Sequence, residues 1–422
     1  MSASGDDLSS AGFPARRRGS AALSALSPSL RDMRFLHTSD WHLGRSFHGV
    51  GLLGAQERYL DHLVEVAREE HIDAVLVSGD VYDRALPSPD TVALLDDALV
   101  RLLDTGAQVI VSSGNHDSAT RLGFASRLLE RSGLHIRTSA GSVGTPVTVG
   151  DTHVYPIPYL EPALAAPVLK ADERTHAGVL RAAMSRVRAD LGRRGGRSVV
   201  MAHSFVTGAT TSDSERDISV GGMGAVPVNV FDSVDYAALG HLHRPQQPAE
   251  HVRYCGSPVA MSFSEAGHTK STLLVDLAGA APAYDEVVAP TERPLARLRG
   301  TLEQLLRDPS YAEAENAWCQ VTLTDERRPR AAMDAVRSRF PHTLQLLFDS
   351  PADAFAQRSY ARRVQGRADL DLCCDFLEHV RGGVDTSVDE RELLRDALGA
   401  AASARHEHDD EGGLTDGRSG AA

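Results

Sequence analysis

The length, composition and charge of the chain exclude several classes of protein. It has 422 residues, of which 42% are hydrophobic, so it is long enough for two folded domains and too apolar to be a disordered protein. Its net charge of −13 argues against a large basic surface for nucleic-acid backbones, although divalent cations bound at a site would invert the field there.

The chain also lacks the signs of a membrane or secreted protein. No apolar run approaches the ~18 residues that a membrane-spanning helix needs, so we expect no membrane partner. The four cysteines form no Cys-x-x-Cys pair, which is typical of thiols in a reducing compartment. We therefore expect a cytoplasmic protein.

Two segments at the ends of the chain are predicted to lie outside the folded domains. Residues 1–32 are rich in Ser, Ala and Gly. They are either a disordered leader or the result of a start codon assigned too early, because Met33 directly precedes the first predicted strand. Residues 402–422 form a polar, acidic tail that we expect to be disordered.

Residues 33–291 are predicted to form an α/β domain in which strands and helices alternate. Apolar residues recur at helical spacing over 56–70 and again after Ser88-Pro89-Asp90, a typical helix start. Short apolar runs before and between these helices indicate buried strands, which predicts a partly parallel sheet with right-handed crossovers. Further elements are predicted over 171–191 (helix), 252–261 and 270–288 (strands).

The residues that follow divide into two further segments. Residues 292–350 contain three strand patterns separated by helical ones, which predicts a second domain of β-α-β-α-β order. Residues 351–401 favour two helices, the first containing Phe355 and Tyr360 and the second over 388–398. These helices either dock a partner protein or pack against the second domain.

Five short polar signatures follow five of the predicted strands of the first domain. Open α/β sheets bind ligands beyond the carboxyl ends of their strands, which is where each signature lies. A single signature of this kind is usually a turn or a surface loop, but five in a fixed order are hard to produce by accident. The signatures are Asp40-Trp-His42, Gly79-Asp80-Val-Tyr-Asp83, Gly114-Asn115-His116-Asp117, Ala202-His203 and Gly240-His241-Leu-His243.

The residue types in these signatures predict a site for two divalent metal ions. Two cations roughly 3.5–4 Å apart can generate hydroxide, orient it and neutralise charge on a phosphoryl group, and holding them takes about seven ligands. Mixed carboxylate, imidazole and amide ligands favour manganese, iron, zinc or cobalt over calcium. Asp80, in a sharp Gly-Asp turn, is the predicted bridge between the ions. The candidate ligands are Asp40, His42, Asp80, Asn115, His203, His241 and His243.

Two further residues are candidates for the catalytic steps. His116 neighbours the candidate ligand Asn115, but its side chain would leave the loop in another direction. We expect it to stabilise the transition state or to protonate the leaving oxygen. Asp83, one short turn past Asp80, is predicted to orient His116 through a carboxylate–imidazole hydrogen bond.

With these motifs the chain resembles the calcineurin-like metallophosphoesterases, and most closely their SbcD branch. The similarity extends from about residue 33 through the second domain and is more specific in the first. The matching stretches are Phe35-Leu-His-Thr-Ser-Asp-Trp-His-Leu-Gly-Arg45, Ser78-Gly-Asp-Val-Tyr-Asp-Arg84, Ser212-Asp-Ser-Glu-Arg216 with Val220-Gly-Gly222, and Gly256-Ser-Pro258 with Ser262-Phe-Ser-Glu265.

The resemblance implies a fold, a metal and a division of the ligands. The fold would be a two-layer β-sandwich flanked by helices, with residues 292–350 as a capping domain that helps to select DNA. The metal would be two manganese ions, with His116 as the catalytic residue. One ion would be held by Asp40, His42, Asp80 and His243, and the other by Asp80, Asn115, His203 and His241.

The resemblance also implies an activity and partners. Members of the SbcD branch are DNA exonucleases and hairpin endonucleases, and they form homodimers within a heterotetramer with SbcC, an ATPase with long coiled coils. The chain has no G-x-x-x-x-G-K-[ST] loop, so any ATP dependence would come from this partner. Helices within 351–401 are the candidates for docking its coiled coil.

Other functions fit the sequence less well. A phosphoesterase for small phosphodiesters, such as cyclic nucleotides, would need neither the second domain nor the helices beyond it. A scaffold that binds DNA ends with a silent site would have lost at least one ligand. Protein phosphatases usually have Gly-Asn-His-Glu where Asp117 stands here.

Overall fold

A computed structural model divides the chain into two compact units. It describes residues 33–215, 224–279, 281–349, 369–380 and 385–398. The first unit contains the residues up to Arg45, Gly51–Val259 and Thr269–Pro290, and the second contains Ser46–Val50, Ala260–His268 and the residues from Thr291 onward. The predicted leader, the predicted acidic tail and the helix predicted around Phe355 and Tyr360 lie outside the described residues.

Strands and helices alternate along most of the described chain. The strands are β1 (Arg34–Thr38), β2 (Ser46–Phe47), β3 (Val50–Gly51), β4 (Ala74–Ser78), β5 (Gln108–Ser112), β6 (Leu134–Arg137), β7 (Val147–Val149), β8 (Thr152–Pro156), β9 (Arg197–His203), β10 (Tyr236–Gly240), β11 (Gln246–Ala249), β12 (Val252–Tyr254), β13 (Ser271–Asp276), β14 (Ala283–Val288), β15 (Leu295–Gly300), β16 (Trp318–Leu323) and β17 (Thr343–Phe348). The helices are α1 (Leu53–Glu69), α2 (Pro89–Leu103), α3 (Ala119–Leu122), α4 (Ser126–Leu129), α5 (Pro162–Leu169), α6 (His176–Arg194), α7 (Leu302–Arg307), α8 (Ala332–Arg337) and α9 (Asp369–Val380). Residues 388–398 are also helical. Among the described residues, no helix combines the length and apolarity needed to cross a membrane.

Two six-stranded sheets form the centre of the first unit. Their strand orders are β14-β13-β1-β4-β5-β6 and β11-β12-β10-β9-β8-β7. In the first sheet β1, β4, β5 and β6 are parallel, and in the second β8, β9, β10 and β12 are parallel. The outer strands β13, β14, β7 and β11 pair antiparallel. The parallel strands of each sheet therefore end on the same edge.

Apolar side chains hold these layers together. Between the sheets lie residues of both, including Leu76, Ile110, Met201 and Ala238. Residues of α1 and α2 pack on the outer face of the first sheet, and residues of α5 and α6 pack on the outer face of the second. All five residues of β4 are buried, because a central parallel strand covered on both faces has no side left for water. The predicted two-layer sandwich flanked by helices is confirmed.

Local capping and turn residues explain where the predicted boundaries were wrong. Helix α6 begins at His176 rather than at 171, because the Thr175 hydroxyl accepts a hydrogen bond from the backbone N–H of Gly178 at 3.0 Å. The strand predicted over 270–288 is two antiparallel strands, β13 and β14. The strand predicted over 252–261 ends at Tyr254, shortly before Gly256 takes a φ of +77°.

The second unit contains a small parallel sheet. Its strand order is β15-β16-β17, with α7 between the first two strands and α8 between the last two. This is the β-α-β-α-β order predicted for the segment. Leu298, Val321, Val336 and Phe340 form its core with other apolar residues, and Thr301 begins α7 with a capping box to Gln304.

His37 in β1 is buried between the sheets in a setting that requires its neutral form. Its Nε2 lies 3.1 Å from the carbonyl oxygen of Leu239, and its Nδ1 lies 2.7 Å from the hydroxyl of Tyr236. Since a carbonyl only accepts, Nε2 carries the proton and Nδ1 accepts one from Tyr236. Burial lowers the pKa of His37 from 6.5 to about 3, because the imidazolium would lose its hydration.

We predict that this histidine makes the fold sensitive to acid. Below pH 6.5 the unfolded chain binds a proton at His37 that the folded chain takes up only near pH 3, so stability falls as the pH is lowered through this window. The loss is roughly 5 kcal/mol over the window. Urea denaturation between pH 7.5 and pH 4 should therefore show a shallower decline for His37→Gln than for the wild type. Equal declines would contradict the prediction.

Candidate metal centre

All five polar signatures meet at one edge of the first unit. The backbone N–H groups of Asp40 and His42 donate to the carbonyl oxygens of Gly79 and Asp80, each at 3.0 Å. These contacts join the loops after β1 and β4 in the first sheet. The loop after β10 in the second sheet reaches the same place, because the N–H of His241 donates to the Asp40 carboxylate at 3.0 Å. Strand ends from both sheets therefore deliver side chains to a common site.

Glycine at the strand ends allows this close approach. A β-carbon on Gly114 would overlap the carboxylate and the backbone nitrogen of Asp80. A β-carbon on Gly240 would overlap the carbonyl oxygen of Ser78, which lies on the other sheet. The glycines in the signatures are therefore required by the distance between the loops.

The structure brings together carboxylates and imidazoles in three groups with ligand atoms within 4.8 Å of one another. Two of the groups are buried and one is half-buried among the described residues. The first buried group lies around His42, and the second lies around Asp80. The half-buried group contains the two candidate catalytic residues. The groups are Asp40 with His42 and His243, Asp40 with Asp80 and His203, and His42 with Asp83 and His116.

Asp80 belongs to the second buried group and also faces His42 of the first. Its Oδ2 lies 3.5 Å from Nε2 of His42 and 3.4 Å from Nε2 of His203. The carboxylate is only 2% exposed, so water does not screen it. One oxygen facing an imidazole on each side is the arrangement that a bridging ligand needs. The bridging role predicted for Asp80 remains a prediction, and this geometry supports it.

The remaining candidate ligands lie close to these groups. The Asn115 amide oxygen is 2.9 Å from Nε2 of His203. The His241 ring is 5.3 Å from the ring of His203, measured between centroids, and His241 is 4% exposed. Nε2 of His42 and Nε2 of His243 are 3.2 Å apart. All seven candidate ligands predicted from the sequence are thus found at one site.

The donor set fits two divalent cations. Several buried nitrogen and oxygen atoms with lone pairs converge here, and such groups require either protons or metal ions between them. Burial disfavours the charged form of His203, but the carboxylates of Asp80 and Asp40 outweigh it and raise the pKa of His203 to about 9. Despite burial, His203, His42 and His116 hold the pKa of Asp80 well below its ordinary range. The raised pKa means that His203 holds a proton at neutral pH. A metal ion bound between these side chains would replace this proton, since imidazole binds metals in its neutral form.

Four of the candidate ligands have a backbone conformation that side chains rarely adopt. Asp40, His42, Asp80 and His241 have φ values of 54°, 44°, 51° and 102°. Such residues cost on the order of 1 kcal/mol each and persist only where surrounding contacts fix them. Their concentration at the strand ends shows that the fold holds these side chains against a local preference for other conformations.

His116 is oriented by a different atom of Asp83 than the sequence predicted. Its Nδ1 lies 2.8 Å from the backbone carbonyl oxygen of Asp83, so the predicted carboxylate–imidazole bond to His116 is wrong. The Asp83 carboxylate instead lies 3.6 Å from Nδ1 of His42 and 3.2 Å from the guanidinium of Arg45. The turn after Asp80 directs the main-chain carbonyl of Asp83 toward His116 and its side chain toward His42 and Arg45. Residue spacing alone does not reveal this.

Asp117 has a supporting role that the sequence reasoning missed. Its carboxylate accepts hydrogen bonds from the backbone N–H groups of Val81, Tyr82 and Gly114 at 3.1, 2.9 and 2.9 Å. It therefore ties the loop that carries Asp80 to the loop that carries Asn115. Burial and the neighbouring Asp80 raise the pKa of Asp117 to about 7. Its place at the end of Gly-Asn-His-Asp was the available signal.

The segment before the undescribed residues 216–223 supports His243. The Ser214 hydroxyl lies 2.6 Å from Nδ1 of His243, and the backbone N–H of His243 donates to Glu215 at 2.8 Å. Glu215 also accepts from the N–H of Ser212 at 2.6 Å. A histidine ligand commonly uses its second ring nitrogen in this way, which fixes the ring orientation. The sequence showed the motif but not its contact with His243.

We predict that Gly114→Ala damages the metal site as well as the fold. The added methyl group displaces Asp80, so the affinity for manganese should fall about tenfold or more, while overpacking costs about 1–3 kcal/mol of stability. Calorimetric titration with manganese and urea denaturation measure the two effects. Gly192→Ala is the control, because a β-carbon there meets nothing within 4 Å. Unchanged affinity in Gly114→Ala would contradict the prediction.

Two family models match the chain. Residues 33–245, half of the chain, match the model described as Calcineurin-like phosphoesterase. Residues 291–381 match the SbcD_C model, described as Type 5 capsule protein repressor C-terminal domain. The first match covers the whole metal centre, and the second covers the β-α-β-α-β sheet.

Solved structures with related folds are more distant. The protein TT1561 of Thermus thermophilus is 14% identical, with a TM-score of 0.38, and the match covers 61% of this chain and 99% of that one. A dimetal phosphatase from Danio rerio is 13% identical, with a TM-score of 0.38, over 62% of this chain and 97% of that one. Neither superposition is close enough to support an argument about the site. On the family matches and the geometry of its metal centre, the chain belongs to the calcineurin-like phosphoesterase family, and its second unit carries an SbcD_C domain.

Proposed function

We propose that this protein is the metal-dependent nuclease subunit of a DNA-end-processing complex. It hydrolyses phosphodiester bonds in DNA, as a double-strand exonuclease and as an endonuclease on hairpins and single strands, in DNA repair. The proposal is supported most by the Asp80 carboxylate, which faces a histidine of each buried group at 3.4 and 3.5 Å. The SbcD_C match over residues 291–381 supports DNA as the substrate.

The chain's own side chains divide the work of holding the metal ions. We propose manganese, which accepts the mixed carboxylate, imidazole and amide donors found here. When bound, the two ions supply an activated nucleophile and neutralise charge on the phosphoryl group. Asp40, His42 and His243 would hold one ion, Asn115, His203 and His241 would hold the other, and Asp80 would be shared.

His116 is the proposed proton donor. Its Nδ1 donates to the carbonyl oxygen of Asp83, because a carbonyl only accepts, and Nε2 is then the nitrogen that can exchange a proton with the substrate. The ring lies edge-on to His42, with centroids 4.6 Å apart. His116 is half-buried, so a phosphodiester can reach it. In the imidazolium form Nε2 also carries a proton, and it would pass that proton to the leaving oxygen as the phosphorus–oxygen bond breaks.

The two alternative functions receive less support. A scaffold with a silent site would have lost a ligand, yet all seven candidates lie at the centre. An enzyme for small phosphodiesters would not need the second unit. The four cysteines are free in the described structure, which fits the reducing cytoplasm in which we place this activity.

Exposed apolar residues in the C-terminal helices support an ATPase partner. Phe376 of α9 is 55% exposed, and Val388 and Leu393 of the helix over 388–398 are 78% and 68% exposed. The two helices are joined by a hydrogen bond from the Thr386 hydroxyl to the carbonyl oxygen of Cys374 at 3.2 Å. We propose that they dock the coiled coil of an SbcC-type ATPase, which would supply apolar side chains to cover these three.

A second apolar surface supports a homodimer. Phe124, just before α4, is 82% exposed, and Leu128, in α4, is 73% exposed. Leu86 is 73% exposed. The segments that carry them are joined by a hydrogen bond from Arg121 to the carbonyl oxygen of Ala85 at 3.3 Å. We propose that a second copy of the chain covers this surface, since a twofold interface places the same apolar residues of both copies in contact.

Manganese-dependent cleavage of a labelled DNA hairpin tests the proposed function. His116→Ala should lower the cleavage rate roughly 10²–10⁴-fold, because the leaving oxygen then departs without a proton. His153→Ala, a histidine of β8 outside the centre, should cleave at the wild-type rate. Both are assayed alone and with the candidate ATPase. Failure of the wild type on DNA, with bis-p-nitrophenyl phosphate still hydrolysed, would move the substrate to small phosphodiesters.

Light scattering after gel filtration tests the dimer. Phe124→Asp combined with Leu128→Asp should halve the molecular mass, because two charges would be buried without partners. Leu164→Asp is the matched control, since Leu164 is 75% exposed on α5 and should leave the mass unchanged. A wild-type mass equal to one chain would refute the dimer.

A further inference from the structure

Arg45 joins two loops of the metal centre through a single side chain. Its Nη1 donates to Oδ1 of Asp83 at 3.2 Å, and its Nη2 donates to the carbonyl oxygen of Ser214 at 3.0 Å. The side chain is 17% exposed. Both terminal nitrogens are thus engaged by protein atoms in a largely buried setting.

The two partners of Arg45 each hold a different functional residue. The Asp83 carbonyl oxygen accepts the hydrogen bond from Nδ1 of His116 at 2.8 Å. The Ser214 hydroxyl lies 2.6 Å from Nδ1 of His243. Arg45 is therefore one residue away from the proposed acid on one side and one residue away from a candidate ligand on the other.

The main chain of Arg45 is itself fixed to the centre. Its N–H donates to the carbonyl oxygen of His42 at 3.0 Å, and its carbonyl oxygen accepts from the N–H of Leu52 at 3.0 Å. The guanidinium is planar and presents its donors in a rigid fork, so the spacing between its two partners is set by the group itself. A lysine ammonium at this position can keep the charge but cannot span both partners.

We propose that Arg45 is a positioning residue that couples the proposed acid His116 to the metal ligand His243. The proposal rests on the proposed function, since it assigns Arg45 to the same reaction. Arg45 is not proposed to contact the substrate, because its terminal nitrogens donate to Asp83 and Ser214. Its loss would loosen the Asp83 turn and the Ser214 segment together.

Arg84 provides a matched control. It follows Asp83 in the chain, and its Nε lies 3.6 Å from the other carboxylate oxygen of Asp83. Its side chain is 81% exposed, so this ion pair is screened by water and contributes little. Arg84→Met removes the same kind of side chain from the same carboxylate without changing the contact to Ser214.

Two measurements separate a positioning role from general damage. The first is the affinity of the metal-free protein for manganese, measured by calorimetry. The second is the rate on a series of methyl aryl phosphodiesters, from p-nitrophenyl to phenyl, in saturating manganese. A poor leaving group needs a proton more than a good one does, so loss of a positioned acid makes the rate depend more steeply on the leaving group. A partly unfolded preparation would lower all rates equally.

We expect Arg45→Met to change both measurements. Its affinity for manganese should fall roughly 10-fold to 100-fold, and its rate on the phenyl ester should fall about tenfold more than its rate on the p-nitrophenyl ester. Arg45→Lys should show both changes to a smaller extent. Arg84→Met should match the wild type. If Arg45→Met does not fold, the Arg45→Lys measurements decide the proposal.

Single variants of Ser214 and His116, the residues on either side of Arg45 in this chain of contacts, complete the test. Ser214→Ala should weaken manganese binding and keep the wild-type leaving-group dependence, whereas His116→Ala should steepen that dependence. In one outcome, His116→Ala shows a steeper dependence of the rate on the leaving group while both Arg45 variants keep the wild-type dependence. This result would overturn the coupling and leave the proposed acid in place. A wild-type dependence in His116→Ala would overturn the proposed acid, and the coupling with it. Uniformly lower rates with unchanged manganese affinity in Arg45→Lys would also overturn the coupling.

Discussion

The contacts of the Asp80 carboxylate with one imidazole from each sheet constrain where the two sheets of the first unit end. His42 follows β1 of one sheet, and His203 ends β9 of the other, so the shared carboxylate requires both sheets to end at the same place. The carboxylate is buried, and water does not weaken its interactions. A single sheet would deliver only half of these groups. The two sheets of the sandwich thus place candidate ligands around Asp80 from two directions.

Around this carboxylate, each loop is fixed by a polar group from another part of the chain. Gln56 of α1 donates to the carbonyl oxygens of Trp41 and His42 at 3.1 and 2.7 Å. Asp117 fixes the turn after β4, and Glu215 fixes the turn after β10. Because each contact ends on a backbone atom, the loop shape depends on these few side chains and less on the residues between them. A centre supported in this way keeps its geometry before a ligand arrives.

Much of the fold and the candidate site could be predicted from the sequence, because both depend on local patterns. Buried parallel strands appear as continuous apolar runs, and β4 is an example. The polar groups at their ends are visible directly. Contacts between distant segments were not visible. The Ser214 hydroxyl meets His243 across 29 residues, and the Asp83 carbonyl replaces its carboxylate beside His116. Such contacts depend on how a turn directs its main chain, which residue identity does not specify.

The left-handed backbone at four candidate ligands has a consequence for how this protein tolerates change. At Asp40, His42, Asp80 and His241 the backbone conformation favours glycine, while the chemistry of the site requires a carboxylate or an imidazole. Selection for stability alone would therefore accept glycine at these positions, and selection for metal binding would reject it. At each of these four residues, selection for stability and selection for metal binding favour different amino acids. Stabilised descendants of this protein would have to gain their stability elsewhere in the fold.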